Sequence, residues 1–245
     1  MQPASQRLRS TISLVRGTLT SRIRKVWSHP RIAELYPEFL FAMYPITAAS
    51  APSMRAAAAC CESLADDDPL KEWLRDYYLE HAEEEQGHGE WILNDLASLG
   101  IVRDQALARL PYPGVASLVG SQYFWMHHVH PIAYLGYIAV LEQPTDPSFL
   151  HEFSVETGIP LTSMSAHVLH ATLDPHHVAE FDATFDRLPL TERQREIITI
   201  SAIATVKHLE ALFADLLEHF DRIDNPLWFQ SIFTAPRSSA QLSST

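Results

Sequence analysis

Histidine and carboxylate side chains stand where apolar residues are expected in the stretch HAEEEQGHGEW, at positions 81–91. At about 3.6 residues per turn, Glu85 and His88 share the helix face of the apolar residues Leu74, Ile92 and Leu96, whereas Glu83 points the opposite way. A buried carboxylate is costly unless it is paired or bound to a metal. The stretch by itself leaves two interpretations open, an internal hydrogen-bonded polar network and a metal site.

Two later stretches repeat this feature. In IAYLGYIAVLEQP, Glu142 is a lone carboxylate on an apolar stripe, or else a surface residue at a helix end before Pro144. In HVLHATLDPHHVAEF, spacings of four and three place His170, Asp174 and His177 on one helix face. The pair Asp174–Pro175 also fits the start of a new helix, but that alternative explains neither histidine.

Taken together, the three stretches predict a dinuclear metal site. Imidazole and carboxylate groups without thiolate suit iron or manganese. A set of six protein ligands is too large for one catalytic ion with open positions, but two ions could share it. The predicted ligands are Glu85, His88, Glu142, His170, Asp174 and His177.

The elements that must position these residues are helices. Strand-like alternation is absent, and prolines separate helical stretches, including one long helix over 69–99 that begins after Asp68. The sequence predicts an all-α protein with three parts. These are a basic amphipathic helix within 1–30 that packs on the body, a helical domain over 31–222 and an extension over 223–245 that is disordered at its end.

The charge distribution restricts the partners. The net charge of −12 argues against nucleic acid. Residues 1–31 hold seven basic residues and no acidic one, so the first helix could lie on a membrane surface, although packing on the acidic body is the preferred interpretation. There is no apolar run of 18 residues for a membrane span and no secretory signal. The adjacent Cys60 and Cys61 favour a reducing cytoplasm.

The stretches HAEEEQGH, LGYIAVLE and HVLHATLDPHH resemble those of the heme-oxygenase-like diiron oxidases and oxygenases, over about residues 30–220. The pattern His170-x-x-x-Asp174-x-x-His177 is the most specific part of the resemblance. It implies a heme-oxygenase/TenA-like bundle of about seven helices, with the six residues as ligands of two iron ions and with Glu84 and Glu62 as reserves for Glu85. Ferritin-like proteins use two Glu-x-x-His motifs, and only Glu85-x-x-His88 fits here.

The resemblance also implies an activity. Two iron ions would use dioxygen to hydroxylate, desaturate or cleave a small substrate such as an amino acid or a fatty acid, possible roles including natural-product biosynthesis. An external electron donor is expected, and the fold is compatible with a homodimer. The alternatives are a metal-free enzyme of the same fold, either a cofactor-free oxidase or a TenA-type hydrolase, and a non-enzymatic helical interaction protein.

Overall fold

The computed structural model describes residues 2–142 and 147–222, except for the side chains of residues 147 and 173–177. The regular structure of this part is helical throughout, which confirms the all-α prediction. Eleven α-helices occur in it, rather than about seven. They are α1 (Ala4–Val15), α2 (Gly17–Trp27), α3 (Ile32–Cys61), α4 (Lys71–Glu84), α5 (His88–Ser98), α6 (Arg103–Leu107), α7 (Pro113–His128), α8 (Tyr134–Leu141), α9 (Pro147–Thr157), α10 (Ser165–Phe185) and α11 (Glu192–Arg222).

The helix predicted over 69–99 is interrupted in the structure. Helix α4 ends at Glu84 and α5 begins at His88, with Gly87 between them at a φ of 92°. Glycine adopts this left-handed conformation without the steric cost that a Cβ atom imposes. The backbone N–H of His88 donates to the carbonyl oxygen of Glu85 at 3.3 Å. The turn therefore keeps these two residues close although the helix does not continue.

Helix α3, by contrast, is longer than the sequence predicts. The sequence predicts a helix over about 31–47, bent at Pro37 and Pro45, and a separate helix over 50–65, but one helix of 30 residues contains Pro37, Pro45 and Pro52. A proline inside a helix costs about 3 kcal/mol or more. Burial of the apolar residues of α3, among them Leu35 and Leu40, favours the continuous helix and offsets this cost.

The N-terminal segment packs on the rest of the protein. It forms α1 and α2 rather than one helix, and its apolar residues Leu8, Ile12 and Leu19 are buried. At the rim, the guanidinium group of Arg9 pairs with the carboxylate of Asp182 on α10 at 2.8 Å. The basic amphipathic surface thus contacts acidic residues of the body. The extension over 223–245 lies outside the described residues.

Helix α11 is a central element of the core. By length and composition alone it could cross a membrane, but its apolar face packs against α8, α7, α2 and α1. Residues Ile198, Ala202 and Leu212 on this face are almost fully buried. Such burial is typical of a core helix in a globular fold.

Helix α8 approaches α11 at backbone distance at Gly136. A Cβ atom at Gly136 would overlap the carbonyl oxygen of Ile198 and stand 2.8 Å from the backbone nitrogen of Ala202. These are backbone atoms, so they cannot move aside as a flexible side chain can. Only glycine allows α8 to lie this close to α11, and the contact fixes the position of Glu142 at the end of α8.

Replacing Gly136 by alanine should therefore destabilise the protein by about 1–3 kcal/mol, because the added methyl group forces the two helices apart. Urea unfolding followed by circular dichroism measures the change. Gly120→Ala is the matched control, since a Cβ atom at Gly120 on α7 meets open space. That variant should be unchanged or more stable by up to about 1 kcal/mol. Equal losses for both variants would contradict the close-contact explanation.

Candidate metal centre

A cavity of about 260 Å³ opens between α3, α5, α8 and α10. Most of its wall is apolar, and Glu85, Glu142 and His170 interrupt this wall. Three of the six predicted ligands therefore border one space. The lining residues are Phe39, Met43, Ile46, Thr47, Ser50, Met54, Glu85, Ile92, Tyr134, Tyr137, Ile138, Leu141, Glu142, Ala166, His167 and His170.

Glu85 and His88 form a close pair beside the cavity. Oε1 of Glu85 lies 3.3 Å from Nδ1 of His88, and the two side chains are only 13% and 7% exposed. This contact lacks the geometry of a hydrogen bond, so the buried Nδ1 atom is not satisfied by it. The His88 ring stacks on Trp91 with centroids 3.9 Å apart and meets the His170 ring edge-on at 5.2 Å. His88 is thus held against His170.

Glu142 follows directly after α8 and is half-buried. Its backbone N–H still donates to the carbonyl oxygen of Ile138 at 2.9 Å, which continues the helical pattern by one residue. The charge of the Glu142 carboxylate affects the pKa of Tyr77 on α4. Burial raises the pKa of Tyr77, and the nearby carboxylates of Glu142, Glu180 and Glu84 raise it further. Several carboxylates therefore lie within electrostatic reach of Tyr77.

Helix α10 runs without interruption through Pro175. The alternative in which Asp174 begins a new helix is therefore wrong, although that pair of residues is a common start signal. His170 lies on the cavity wall. Asp174 and His177 follow about one and two turns later on the same helix. Their side chains lie outside the described residues, so their role as ligands stays a prediction.

The glutamates near Glu85 in the first stretch, and Glu62, lie at the protein surface. Glu83 is 75% exposed and pairs with Arg55 at 2.9 Å, and Glu84 is also exposed. Glu62 is 63% exposed and lies 3.9 Å from Arg75. Of these carboxylates, only that of Glu85 reaches the cavity. The helical projection therefore gave the correct orientation for Glu85 and Glu83.

Asp95 joins the two helices that carry His88 and His170. It is a fully buried residue of α5. Its carboxylate accepts hydrogen bonds from the backbone N–H and the hydroxyl of Ser165, at 2.8 and 2.6 Å, and from the backbone N–H of Ala166 at 3.0 Å. These are the first residues of α10, whose N–H groups have no partner within the helix. Asp95 therefore caps α10 from a neighbouring helix and fixes its position relative to α5.

His167 also lines the cavity, although the sequence patterns did not indicate it. Burial and, as the smaller cause, the neighbouring His170 together lower the pKa of His167 to about 4. The ring is therefore neutral at pH 7. Its spacing of three from His170 was a signal that could have placed it on the same helix face.

The described side chains do not by themselves form a complete metal site. Among them, no group of three or more histidine, cysteine, aspartate or glutamate side chains is close enough to hold an ion. This statement does not cover Asp174 and His177, because their side chains lie outside the described residues. The unsatisfied Nδ1 of His88 beside the Glu85 carboxylate is a metal-binding type of arrangement, and nitrogen and oxygen donors without thiolate suit iron. The residues present therefore fit an iron site.

Comparison with known proteins gives a family match and a fold. Residues 37–209, more than two thirds of the chain, match the family described as iron-containing redox enzymes. No curated protein sequence matches the chain. A domain of unknown function with a heme oxygenase-like fold from Shewanella denitrificans superimposes with a TM-score of 0.73 at 18% identity, covering 87% of this chain and 91% of that one.

Two TenA homologues share the same fold. The one from Pseudomonas syringae has a TM-score of 0.63 and 13% identity, covering 88% of this chain and 93% of its own. The one from P. horikoshii has a TM-score of 0.56 and 16% identity, covering 89% and 99%. At these identities the likeness shows the heme-oxygenase-like fold and does not extend to the activity.

Replacing Asp95 by alanine should lower the free energy of unfolding by about 1–3 kcal/mol, because the first N–H groups of α10 lose their acceptor in a buried place. Urea unfolding measures this loss. Asn94→Ala is the control, since Asn94 is exposed on the same helix and should change stability by no more than about 0.5 kcal/mol. A similar stability for both variants would show that Asp95 does not hold α10.

Proposed function

Because the chain belongs to the family of iron-containing redox enzymes, we propose that it is a non-heme diiron oxidase or oxygenase that acts on a small substrate. The observation that carries the proposal is the position of Glu85, Glu142 and His170 on the wall of one mainly apolar cavity, with His88 against Glu85 and His170. Carboxylate and imidazole groups rarely line such a space unless they bind something.

In this proposal Glu85, His88, Glu142 and His170 hold two iron ions together with Asp174 and His177. The bound ferrous ions would supply the electrons that activate dioxygen, which is the oxidant of the substrate. The three carboxylates would offset most of the positive charge of the two cations. Trp91 stacks on the His88 ring and limits its rotation, so that its nitrogen atoms keep a fixed direction.

The cavity provides the place for the substrate. Its volume of about 260 Å³ is close to the lower end of the range for small-molecule sites, about 300–1,000 Å³. The apolar walls exclude water from the reacting groups, which strengthens electrostatic interactions there. An amino acid or a fatty acid chain is the class of substrate proposed, with hydroxylation, desaturation or oxidative carbon–carbon cleavage as the outcome.

A hydrolase that uses a cysteine nucleophile, as proposed for TenA-type enzymes, is the second candidate of this fold. The positions of the thiols argue against it. The chain has two cysteines, and neither Cys60 nor Cys61 lines the cavity. Burial raises the pKa of the Cys61 thiol to about 12 and raises that of Cys60 as well. A thiol with a raised pKa is a poor nucleophile at neutral pH.

The proposed function also implies an electron donor, a cellular compartment and an oligomeric state. An external electron donor reduces the iron between turnovers, and Cys60 and Cys61 are free thiols in the structure, which suits a reducing cytoplasm. A homodimer is compatible with the fold. A non-enzymatic interaction protein, the remaining alternative, would have no need of iron, so metal binding separates the two functions.

We expect the protein to bind two ferrous ions per chain when it is loaded without oxygen, because six ligand-type side chains serve two ions. Anaerobic titration with ferrous iron, followed by spectroscopy or by iron analysis after desalting, gives the stoichiometry. Saturation at one ion would contradict the dinuclear site, and absence of binding would favour the interaction protein.

Replacing Glu85 by glutamine should lower the affinity for ferrous iron by at least about tenfold, because the amide keeps the size of the side chain but lacks its charge. Oxygen consumption of the iron-loaded protein should fall with it. Glu83→Gln is the matched control, since Glu83 is two residues away and exposed at the surface. Equal effects of both substitutions would show that Glu85 has no special role.

A further inference from the structure

The cavity lining separates into metal-binding and remaining polar groups. Glu85, Glu142 and His170 are the proposed iron ligands, and among the described residues the lining contains no lysine or arginine. The described part of the lining therefore offers a bound molecule no lysine or arginine charge. Of the nitrogen-bearing side chains in the lining, His167 is the one that the metal site does not use.

The hydrogen bonds of Tyr36 define the tautomer of His167. The hydroxyl of Tyr36 donates to the carbonyl oxygen of Ser163 at 3.0 Å, and it has only one hydrogen to donate. Its oxygen lies 3.4 Å from Nδ1 of His167. For these two contacts to be satisfied together, Nδ1 must carry the proton and donate it to the Tyr36 oxygen. Nε2 then carries the lone pair.

The ring of His167 is held in place by aromatic neighbours. It stacks on Phe39, with centroids 5.5 Å apart and planes at 29°, and meets Trp27 edge-on at 5.5 Å. Within the described part of the chain, its only hydrogen bond is that of Nδ1 to Tyr36. Nε2 therefore remains available, and the neutral state of the ring at pH 7 makes it an acceptor.

We propose that Nε2 of His167 accepts a hydrogen bond from the substrate, and that the substrate is a small, mainly apolar molecule with a hydroxyl or amino group. The inference rests on the proposed use of this cavity as the substrate site and narrows the substrate class. The apolar wall binds the hydrocarbon part. The O–H or N–H group is recognised because a buried acceptor left without a donor costs free energy.

Two isomers test this idea on the full-length protein with no metal added. Hexanol carries an O–H donor, whereas methyl pentyl ether has the same atoms and can only accept. Ligand-detected NMR gives both dissociation constants. We expect hexanol to bind about fivefold more tightly than the ether, the ratio that one net hydrogen bond of about 1 kcal/mol supplies, and we expect hexylamine to share the preference.

The substitution His167→Phe keeps an aromatic ring and removes the acceptor, so the ratio should fall to about one. His167→Gln restores an acceptor and should recover the preference. His128→Phe, at an exposed position on α7, should behave as the unmodified protein. The ratio does not depend on the folded fraction, because both ligands titrate the same sample.

Equal binding of the two isomers by the unmodified protein would overturn the inference, and so would an unchanged ratio in His167→Phe. Neither result bears on iron, which the titration proposed above measures separately. Two ferrous ions per chain together with no preference for hexanol would leave the diiron function standing and remove the role of His167. The reverse pattern would leave a ligand site without the proposed redox chemistry.

Discussion

Carboxylates on the wall of an apolar cavity impose the main constraint on this protein. Glu85 and Glu142 border the same space, and a charged group removed from water is costly unless an opposite charge or hydrogen bonds compensate it. The residues around them are arranged accordingly, with His88 beside Glu85 and His170 beside His88. Under the proposed function, two iron ions provide this compensation for the three carboxylates and three histidines of the predicted ligand set.

The helical framework keeps these groups together through two contacts far apart in sequence. Asp95 of α5 caps the start of α10, so the helices that carry His88 and His170 hold a fixed relative position. Gly136 allows α8 to approach α11 at backbone distance, which places the end of α8 and therefore Glu142. Both contacts are made by buried residues, because only a rigid framework can hold ligand atoms to a small fraction of an ångström.

The cavity also separates this chain from other enzymes of its fold. Neither of its thiols lines the cavity, and burial raises the pKa of both, which argues against cysteine chemistry there. One of its other polar groups, the His167 ring, is oriented by Tyr36 and by aromatic packing. A fold does not specify a reaction, so the side chains that face the cavity decide the chemistry.

The sequence by itself determined the helical class and the orientation of Glu85 towards the interior and of Glu83 towards the surface. These follow from composition and from a period of about 3.6 residues, which are local properties. The helix boundaries could not be predicted as well from the sequence. Gly87 ends one helix where the apolar pattern continues, and α3 continues through three prolines where local preference predicts a break.

The tertiary structure alone decided which groups meet across helices. The cap that Asp95 places on Ser165 joins residues 70 positions apart, and no periodicity within either helix indicates it. The low pKa of His167 depends in the same way on burial, and the hydrogen bond of its Nδ1 atom depends on the Tyr36 hydroxyl, 131 positions away. Such contacts depend on the packing of whole helices. A local pattern fixes the face of a helix but not the neighbour that covers it.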